Sequence, residues 1–303
     1  MTPQNTRVIR TMRALLGWPR YRHDALLPSM IDLAHPADAT HAYLTGQLHP
    51  SQTQLLEDFA AESEAAVAAC PPRLDIPYGR HEREVFDLFV SPHAWRGTVA
   101  YFHAGFWQAR DKAQFRFLAK EFIAEGMDVA LVNYPLCPDV SLRQLVGCAQ
   151  ASIPKILDTV RGIGRGGEAL IAAGHSAGGH IAVELALAGA SLSAIIAISG
   201  IYELAPLLAT RLNEKLRLDE VEARAMSPLH RLAGPRLAGK LPPALFIAGA
   251  LETPEFRAQS EAMNLAWRPA WRSSYMEIAG ADHFSVLRHF GPSLLDLITP
   301  ERM

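Results

Sequence analysis

Apolar and polar positions along the chain fall into two textures. From Glu84 onward short apolar runs recur: Glu84 to Val90 (E-V-F-D-L-F-V), Thr98 to Phe102, Val129 to Val132, Ala169 to Ala173, Ala194 to Ile198, Ala244 to Ala248 and Tyr275 to Ile278. Runs of this length read as strands, most of them buried on both faces. Between them lie the helix-length segments Gln114 to Glu125, Leu142 to Arg161, Gly178 to Ala190 and Glu255 to Trp267. Strands alternating with helices predict an α/β fold, with a mostly parallel central sheet flanked by helices. The connection from Gly200 to Pro243 is longer than a crossover needs and carries Leu, Arg and Glu at helical spacing, broken by Ser227-Pro228 and Pro235. It predicts a helical cap, about 200–243, lying over the strand ends.

The first 80 residues are Ala- and Leu-rich, helical in pattern at Ser51 to Ala69, and close on the breaker pair Pro71-Pro72. They predict a helical extension over 1–80, packed on an α/β domain over 81–303. The opening stretch is basic, with no acid before Asp24, and faintly resembles a transit peptide. Val8, Met12 and Leu15 share one face at the helical period, so an ordinary amphipathic helix is the expectation there, and no continuous apolar secretory core is present.

Composition narrows the partners. The 29 Lys and Arg against 31 Asp and Glu leave a net charge of −2, which provides no basic field for nucleic acid. Cys70, Cys137 and Cys148 show no C-x-x-C spacing, so neither a disulfide framework nor a zinc site is indicated and a reducing cytoplasm fits. The most apolar long stretch, Ile181 to Ser199, is interrupted by Glu184 and Gly189 and changes period within itself, so no membrane span is expected. A small-molecule substrate is the expected partner, with a homodimer left open.

Candidate chemistry centres on Gly174-His175-Ser176-Ala177-Gly178-Gly179, a G-x-S-x-G motif between an apolar strand and a helix. Small residues flank such a serine because the turn is tight and pushes its Oγ outward. A serine hydroxyl needs an imidazole to take its proton and an acid to fix that imidazole's tautomer. His283 occupies the loop just past the last apolar run, whereas His289 belongs with the next helix. Glu252 is the first acid beyond Ala244 to Ala248; Asp282 and Glu255 are its rivals, the latter expected at a helix start in any case. Oxyanion donors are expected at the N–H of Ala177 and in the loop His103-Ala104-Gly105-Phe106-Trp107, through Gly105 and Phe106. Trp107, His175 and Tyr202 are candidate substrate-binding residues, with Phe106 beside them in an aromatic pocket. No H-E-x-x-H, Walker loop or dinucleotide fingerprint occurs, and the Gly-rich stretch 162–167 precedes a strand instead of opening a helix, so no metal or organic cofactor is expected.

Together these motifs resemble the kynurenine formamidase (arylformamidase) branch of the esterase/lipase-like α/β-hydrolases. The matching stretches are Asp75-Ile76-Pro77-Tyr78-Gly79, His103 to Trp107 with Gln108 and Lys112, and Gly174 to Gly179. They continue with Ser199-Gly200-Ile201-Tyr202-Glu203-Leu204, Ser227-Pro228 and Thr253-Pro254-Glu255-Phe256, so the similarity runs from about Asp75 to Phe284. The resemblance implies an α/β-hydrolase fold with Ser176 as nucleophile, Glu252 where the family usually has Asp, His283 as base and the Gly105 loop as oxyanion donor. Ala104 departs from the family by replacing a glycine, and Glu252 is one methylene longer than Asp. The expected activity is cleavage of a carboxylic amide or ester of an aromatic substrate. Acyl transfer or cyclisation, a tailoring esterase, and a non-catalytic receptor for an aromatic ligand on the same fold remain alternatives at this point.

Overall fold

The computed structural model describes residues 38–166, 169–232, 241–268 and 272–298. The helix expected around Val8, Met12 and Leu15 lies outside these residues, as does the cap segment around Pro235.

Eight strands form one sheet: β1 (Arg73–Pro77), β2 (Val85–Phe89), β3 (Gly97–Phe102), β4 (Met127–Val132), β5 (Leu170–His175), β6 (Ala194–Ile198), β7 (Ala244–Gly249) and β8 (Ser273–Ile278). Their order is β1-β2-β4-β3-β5-β6-β7-β8. β1 and β2 pair antiparallel, as do β2 and β4, and every pairing from β4 to β8 is parallel. The seven apolar runs are β2 to β8.

β1 corrects the expected boundary at residue 80, because the sheet already begins at Arg73 inside the stretch assigned to a helical extension. It is a largely exposed edge strand holding Arg73 and Asp75 and joined to β2 through an irregular register, so it has no apolar run to betray it. Asp75 and the fully buried Asp87 of β2 share Lys112, at 2.7 and 2.9 Å, and Arg116 adds a second cation to Asp87 at 2.7 Å.

Side chains alternate across the central strands and build a core on each face. Ala100, Phe102, Ala130, Val132 and Ala172 face one side; Val99, Tyr101, Val129, Leu131 and Ile171 face the other. The helices are α1 (Ala39–Tyr43), α2 (Gln52–Ala69), α3 (Ala119–Ala124), α4 (Leu142–Gly162), α5 (Ala177–Leu187), α6 (Asn213–Leu216), α7 (Glu220–Ala225), α8 (Pro228–Leu232) and α9 (Pro254–Trp267). α4, α5 and α9 cover the first face, while Phe59 of α2 and Ala119 and Phe122 of α3 cover the second. The helix expected over Gln114 to Glu125 is in fact a 3₁₀ segment, Lys112–Leu118, followed by α3; a capping box between Asp111 and Gln114 starts it. No helix among the described residues is long and apolar enough to cross a membrane.

The excursion between β6 and β7 holds a 3₁₀ turn (Ala205–Ala209) and α6, α7 and α8. It is fastened to α5 at two points: His180 Nε2–H donates to the Met226 carbonyl at 2.9 Å, and Arg231 pairs with the buried Glu184. Gln259 of α9 accepts the N–H groups of Tyr202 and Glu203, each at 2.8 Å, and so anchors the start of the excursion.

Candidate active site

β5 to β8 run parallel side by side in one half of the sheet, so the turns leaving the C-terminal ends of β5, β7 and β8 gather at one edge. Ser176 forms the turn from β5 into α5 with φ 57° and ψ −117°, a backbone conformation unfavourable for a residue with a Cβ. Its N–H donates to the Ile198 carbonyl at 2.8 Å, which ties the turn to β6. Two residues on, α5 passes so close to the end of β3 that a Cβ on Gly178 would stand 1.9 Å from the Phe102 carbonyl oxygen. The glycine of the motif thereby docks the serine turn against the strand that leads into the His103 to Trp107 loop.

Beyond β7 the chain turns at Gly249, and Glu252 folds its carboxylate back, fully buried, over that strand end. Oε1 accepts the Gly249 N–H at 2.6 Å and the Ser199 hydroxyl at 2.5 Å; Oε2 accepts His283 Nδ1–H at 2.7 Å. Both carboxylate oxygens, which burial would otherwise leave unsatisfied, have a donor. With its Nδ1 proton committed to Glu252, neutral His283 has Nε2 as its basic nitrogen. The rivals lie elsewhere: Asp282 Oδ1 accepts the N–H groups of Phe284 and Ser285 at 2.9 and 2.7 Å, and Glu255 sits in the first turn of α9. The ring of His175, next to Ser176, lies tilted at 44° to the His283 ring with centroids 4.7 Å apart, which brings the serine turn and the imidazole together. Ser176 Oγ makes no hydrogen bond among the described residues.

Among the backbone amides at this edge that have no acceptor among the described residues are the three expected donors, Gly105, Phe106 and Ala177. Ala177 is the first residue of α5, so its N–H is an orphan by helix geometry and carries the positive end of the helix dipole. The facing loop is pinned on three sides. The Tyr134 hydroxyl donates to the His103 carbonyl at 2.7 Å, the Cys137 N–H to the Trp107 carbonyl at 2.8 Å, and Gln108 Nε2 to the Leu212 carbonyl of the cap at 2.7 Å. Gly105 has φ 130°, and a Cβ there would strike the Ala109 carbonyl. Ala104 carries its methyl into the core on the opposite face, with Tyr101 and Phe115, so this departure from the family pattern packs away from the free amides.

The expected substrate-binding residues correct differently. Trp107, His175 and Tyr202 are each 0% exposed and present no surface to a ligand. Trp107 meets His180 edge-on at 5.1 Å and Tyr202 meets Phe246 at 5.8 Å. His175 backs the His283 ring, and burial, then the neighbouring His283, holds its pKa well below the usual imidazole value. An aromatic residue type signals area to bury, whether in a core or a pocket. Phe106, half-buried, is the member of the predicted aromatic group that keeps an open face. Sequence reasoning missed Ser199 as a partner of Glu252; its signal is a small hydroxyl residue directly after β6, at φ 49°, before Gly200. Among the described residues no group of three or more His, Cys, Asp or Glu is placed to hold a metal ion.

Comparisons with known proteins agree with this architecture. Kynurenine formamidase of Danio rerio is 28% identical over 235 residues, 74% of this chain and 79% of that protein. The Drosophila melanogaster kynurenine formamidase is 23% identical over 219 residues, 68% and 72% of the two chains. A solved structure from Silicibacter sp., described as a proposed thioesterase, has a TM-score of 0.75 at 27% identity and covers 86% of this chain and 98% of its own. Esterase B from Lactobacillus rhamnosis shares the fold at TM-score 0.63 and 19% identity, over 84% and 92% of the chains. A family profile described as alpha/beta hydrolase fold matches residues 99–285, from β3 through the loop that carries His283. The chain belongs to the alpha/beta hydrolase fold family and, within it, is kynurenine formamidase-like.

Proposed function

We propose that this protein is a serine hydrolase that cleaves a carboxylic amide or ester bond of a small aromatic substrate, using Ser176 as nucleophile, His283 as general base and acid, and Glu252 as the orienting acid. Cleavage of an amide or ester is the coarser part of this reading and has the support of formamidase relatives and esterase-like neighbours. The observation that carries the finer part is the Glu252 to His283 hydrogen bond, 2.7 Å and buried, at the sheet edge where the strained Ser176 turn emerges.

In the first half-reaction His283 Nε2 takes the Ser176 proton as Oγ bonds to the substrate carbonyl carbon, and the carbonyl electron pair moves onto oxygen. The hydrogen bond between Ser176 and His283 forms at this stage, since such contacts tighten in the substrate complex. The N–H groups of Ala177, Gly105 and Phe106 supply donors for that oxyanion, each worth about 2.7–4 kcal/mol of barrier. Collapse expels the amine or alcohol, which takes its proton from His283, and leaves an acyl ester on Ser176. Water then attacks that ester, gives its proton to His283, and releases the carboxylic acid as Ser176 recovers its proton. Glu252 stays ionised throughout, fixing the Nδ1–H tautomer and stabilising the imidazolium. His175, kept neutral by burial, adds no second positive charge behind that imidazolium. Phe106 supports an aromatic substrate, because its open face lies one residue from a proposed oxyanion donor.

The test compares N-formylkynurenine, a short-chain aryl ester and a bulkier anilide with wild type and Ser176→Ala. Turnover of at least one of them, lost in Ser176→Ala, is expected. Deformylation would assign the arylformamidase substrate, and ester or anilide cleavage without it would move the assignment to another amide or ester. Turnover that survives in Ser176→Ala would overturn the mechanism.

A further inference from the structure

Arg110 differs from the other cations around the proposed oxyanion loop. Arg83 donates to Asp111, Asn133 and the carbonyls of Tyr134 and Arg110. Lys112 is held between Asp75 and Asp87, and Arg288 pairs with Glu62. The Arg110 guanidinium is half-buried yet makes no hydrogen bond or ion pair among the described residues. Burial lowers its pKa, and the group that opposes the shift is the Tyr101 phenol, not a carboxylate. A cation that has given up part of its water without an acid partner is unfavourable unless something outside the chain supplies the anion.

Its position says where that anion would be. The guanidinium carbon lies 4.7 Å from the centroid of Phe284, the residue after His283, and the Phe284 ring is 5.4 Å from the rings of both His283 and His175. Arg110 therefore stands within about 10 Å of the His283 imidazole, inside the screening length at moderate salt. Phe284 serves as a cation–π partner of the guanidinium, whose N–H donors make no hydrogen bond among the described residues. The arm has a fixed base: φ at Arg110 is 75°, and its carbonyl accepts from Arg83 at 2.8 Å. The neighbouring His103 and His175 are held neutral by burial, the former at a pKa of about 4, so neither competes for an anion at neutral pH.

We propose that Arg110 is a specificity-determining residue that binds a carboxylate on the substrate, so that the preferred amides or esters carry a carboxylate on the acyl or the leaving half. One planar guanidinium matches one carboxylate through two parallel N–H bonds, whereas a phosphate monoester, with about −1.5 to −2 charge, would be left partly unpaired there. The inference rests on the hydrolase reading of Ser176 and His283.

The experiment measures kcat/KM on two matched pairs of esters: mono-4-nitrophenyl glutarate against its methyl ester, and 4-acetoxybenzoate against its methyl ester, following release of the phenol. Wild type, Arg110→Gln, Arg110→Lys and Ser176→Ala are compared. In at least one pair wild type is expected to favour the carboxylate form, and Arg110→Gln to lower that form alone by about 10- to 100-fold, mostly in KM. Arg110→Lys keeps the charge without the fork and is expected to retain part of the preference. Equal losses on charged and neutral members, or an unchanged ratio in Arg110→Gln while Ser176-dependent turnover persists, would overturn the Arg110 assignment alone. Turnover of every ester that is absent or indifferent to Ser176→Ala would overturn the hydrolase reading and this inference with it.

Discussion

Gly178→Ala perturbs the contact that sets the two proposed halves of the oxyanion site against each other. The added Cβ would lie 1.9 Å from the Phe102 carbonyl oxygen, 2.5 Å from its carbon and 2.9 Å from the His103 carbonyl oxygen, all rigid backbone. Cβ contacts below 3.0 Å are essentially never found, so the start of α5 and the end of β3 must separate by about 1 Å. The bodies that separate are those bearing the Ala177 N–H and the Gly105 loop. A misplacement of that size costs about 10²-fold in rate, and outright loss of one donor about 10²–10³-fold. Overpacking of this kind destabilises by about 1–3 kcal/mol, which in a chain of this size lowers Tm by roughly 5 °C. The assay is kcat/KM on an aryl ester beside a thermal melt, with Gly147→Ala as the control. Gly147 lies within α4 with open space where its Cβ would be, so alanine there is expected to leave activity alone and to raise stability by up to about 1 kcal/mol. Gly178→Ala retaining kcat/KM within about threefold and an unchanged Tm would refute the idea that this contact holds the donors in register.

Glu252→Gln replaces the acceptor of the Nδ1 proton by a neutral amide that can stabilise the wrong tautomer, and kcat is expected to fall on the order of 10⁴-fold with KM little changed; a loss below tenfold would remove Glu252 from the mechanism. Ser199→Ala deletes one of three donors to a buried carboxylate, a charge-assisted bond of about 1.5–3 kcal/mol, so kcat is expected to drop about tenfold along with a lower Tm; parity with wild type in both would show the bond to be dispensable. Stability should also fall in acid. Burial depresses the pKa of His103 and of His180 to about 4, so between pH 6.5 and 4 the unfolded chain binds protons that the native chain does not. Their stabilisation is complete above about pH 6.5 and is lost as the pH falls toward 4, about 2 kcal/mol for each at pH 5. Urea midpoints that match at pH 7.5 and 5.0 would contradict this.

What could be read in advance follows from how each feature is encoded. β3 to β7 are continuous apolar runs because both of their faces are covered, and such runs need no context to recognise. β1 is an edge strand whose Asp75 pairs with Lys112 and donates its N–H to Asp87, so its identity depends on those partners more than on its own pattern. Ser176 is legible because a strand-to-helix turn demands small neighbours. Glu252 and His283 are legible as candidates because parallel strands deliver the loops just beyond their C-terminal ends to one edge. The Ser199 hydroxyl meets Glu252 across 53 residues, and no local spacing encodes that meeting. The burial of Trp107, His175 and Tyr202 was equally hidden, since it depends on which way each backbone segment turns its side chain. Arg110 shows the same limit from the other side: an unpaired guanidinium can be recognised only once the partners of its neighbours are known.

Whether Ser176 is the nucleophile is tested by treating the protein with a fluorophosphonate and locating the adduct by peptide mass spectrometry, with Ser176→Ala and Glu252→Gln treated in parallel. A single stoichiometric adduct on Ser176 that abolishes turnover is expected, with no labelling in Ser176→Ala and slowed labelling in Glu252→Gln. An active enzyme that stays unlabelled at Ser176, or one inactivated by an adduct on another residue, would contradict that role.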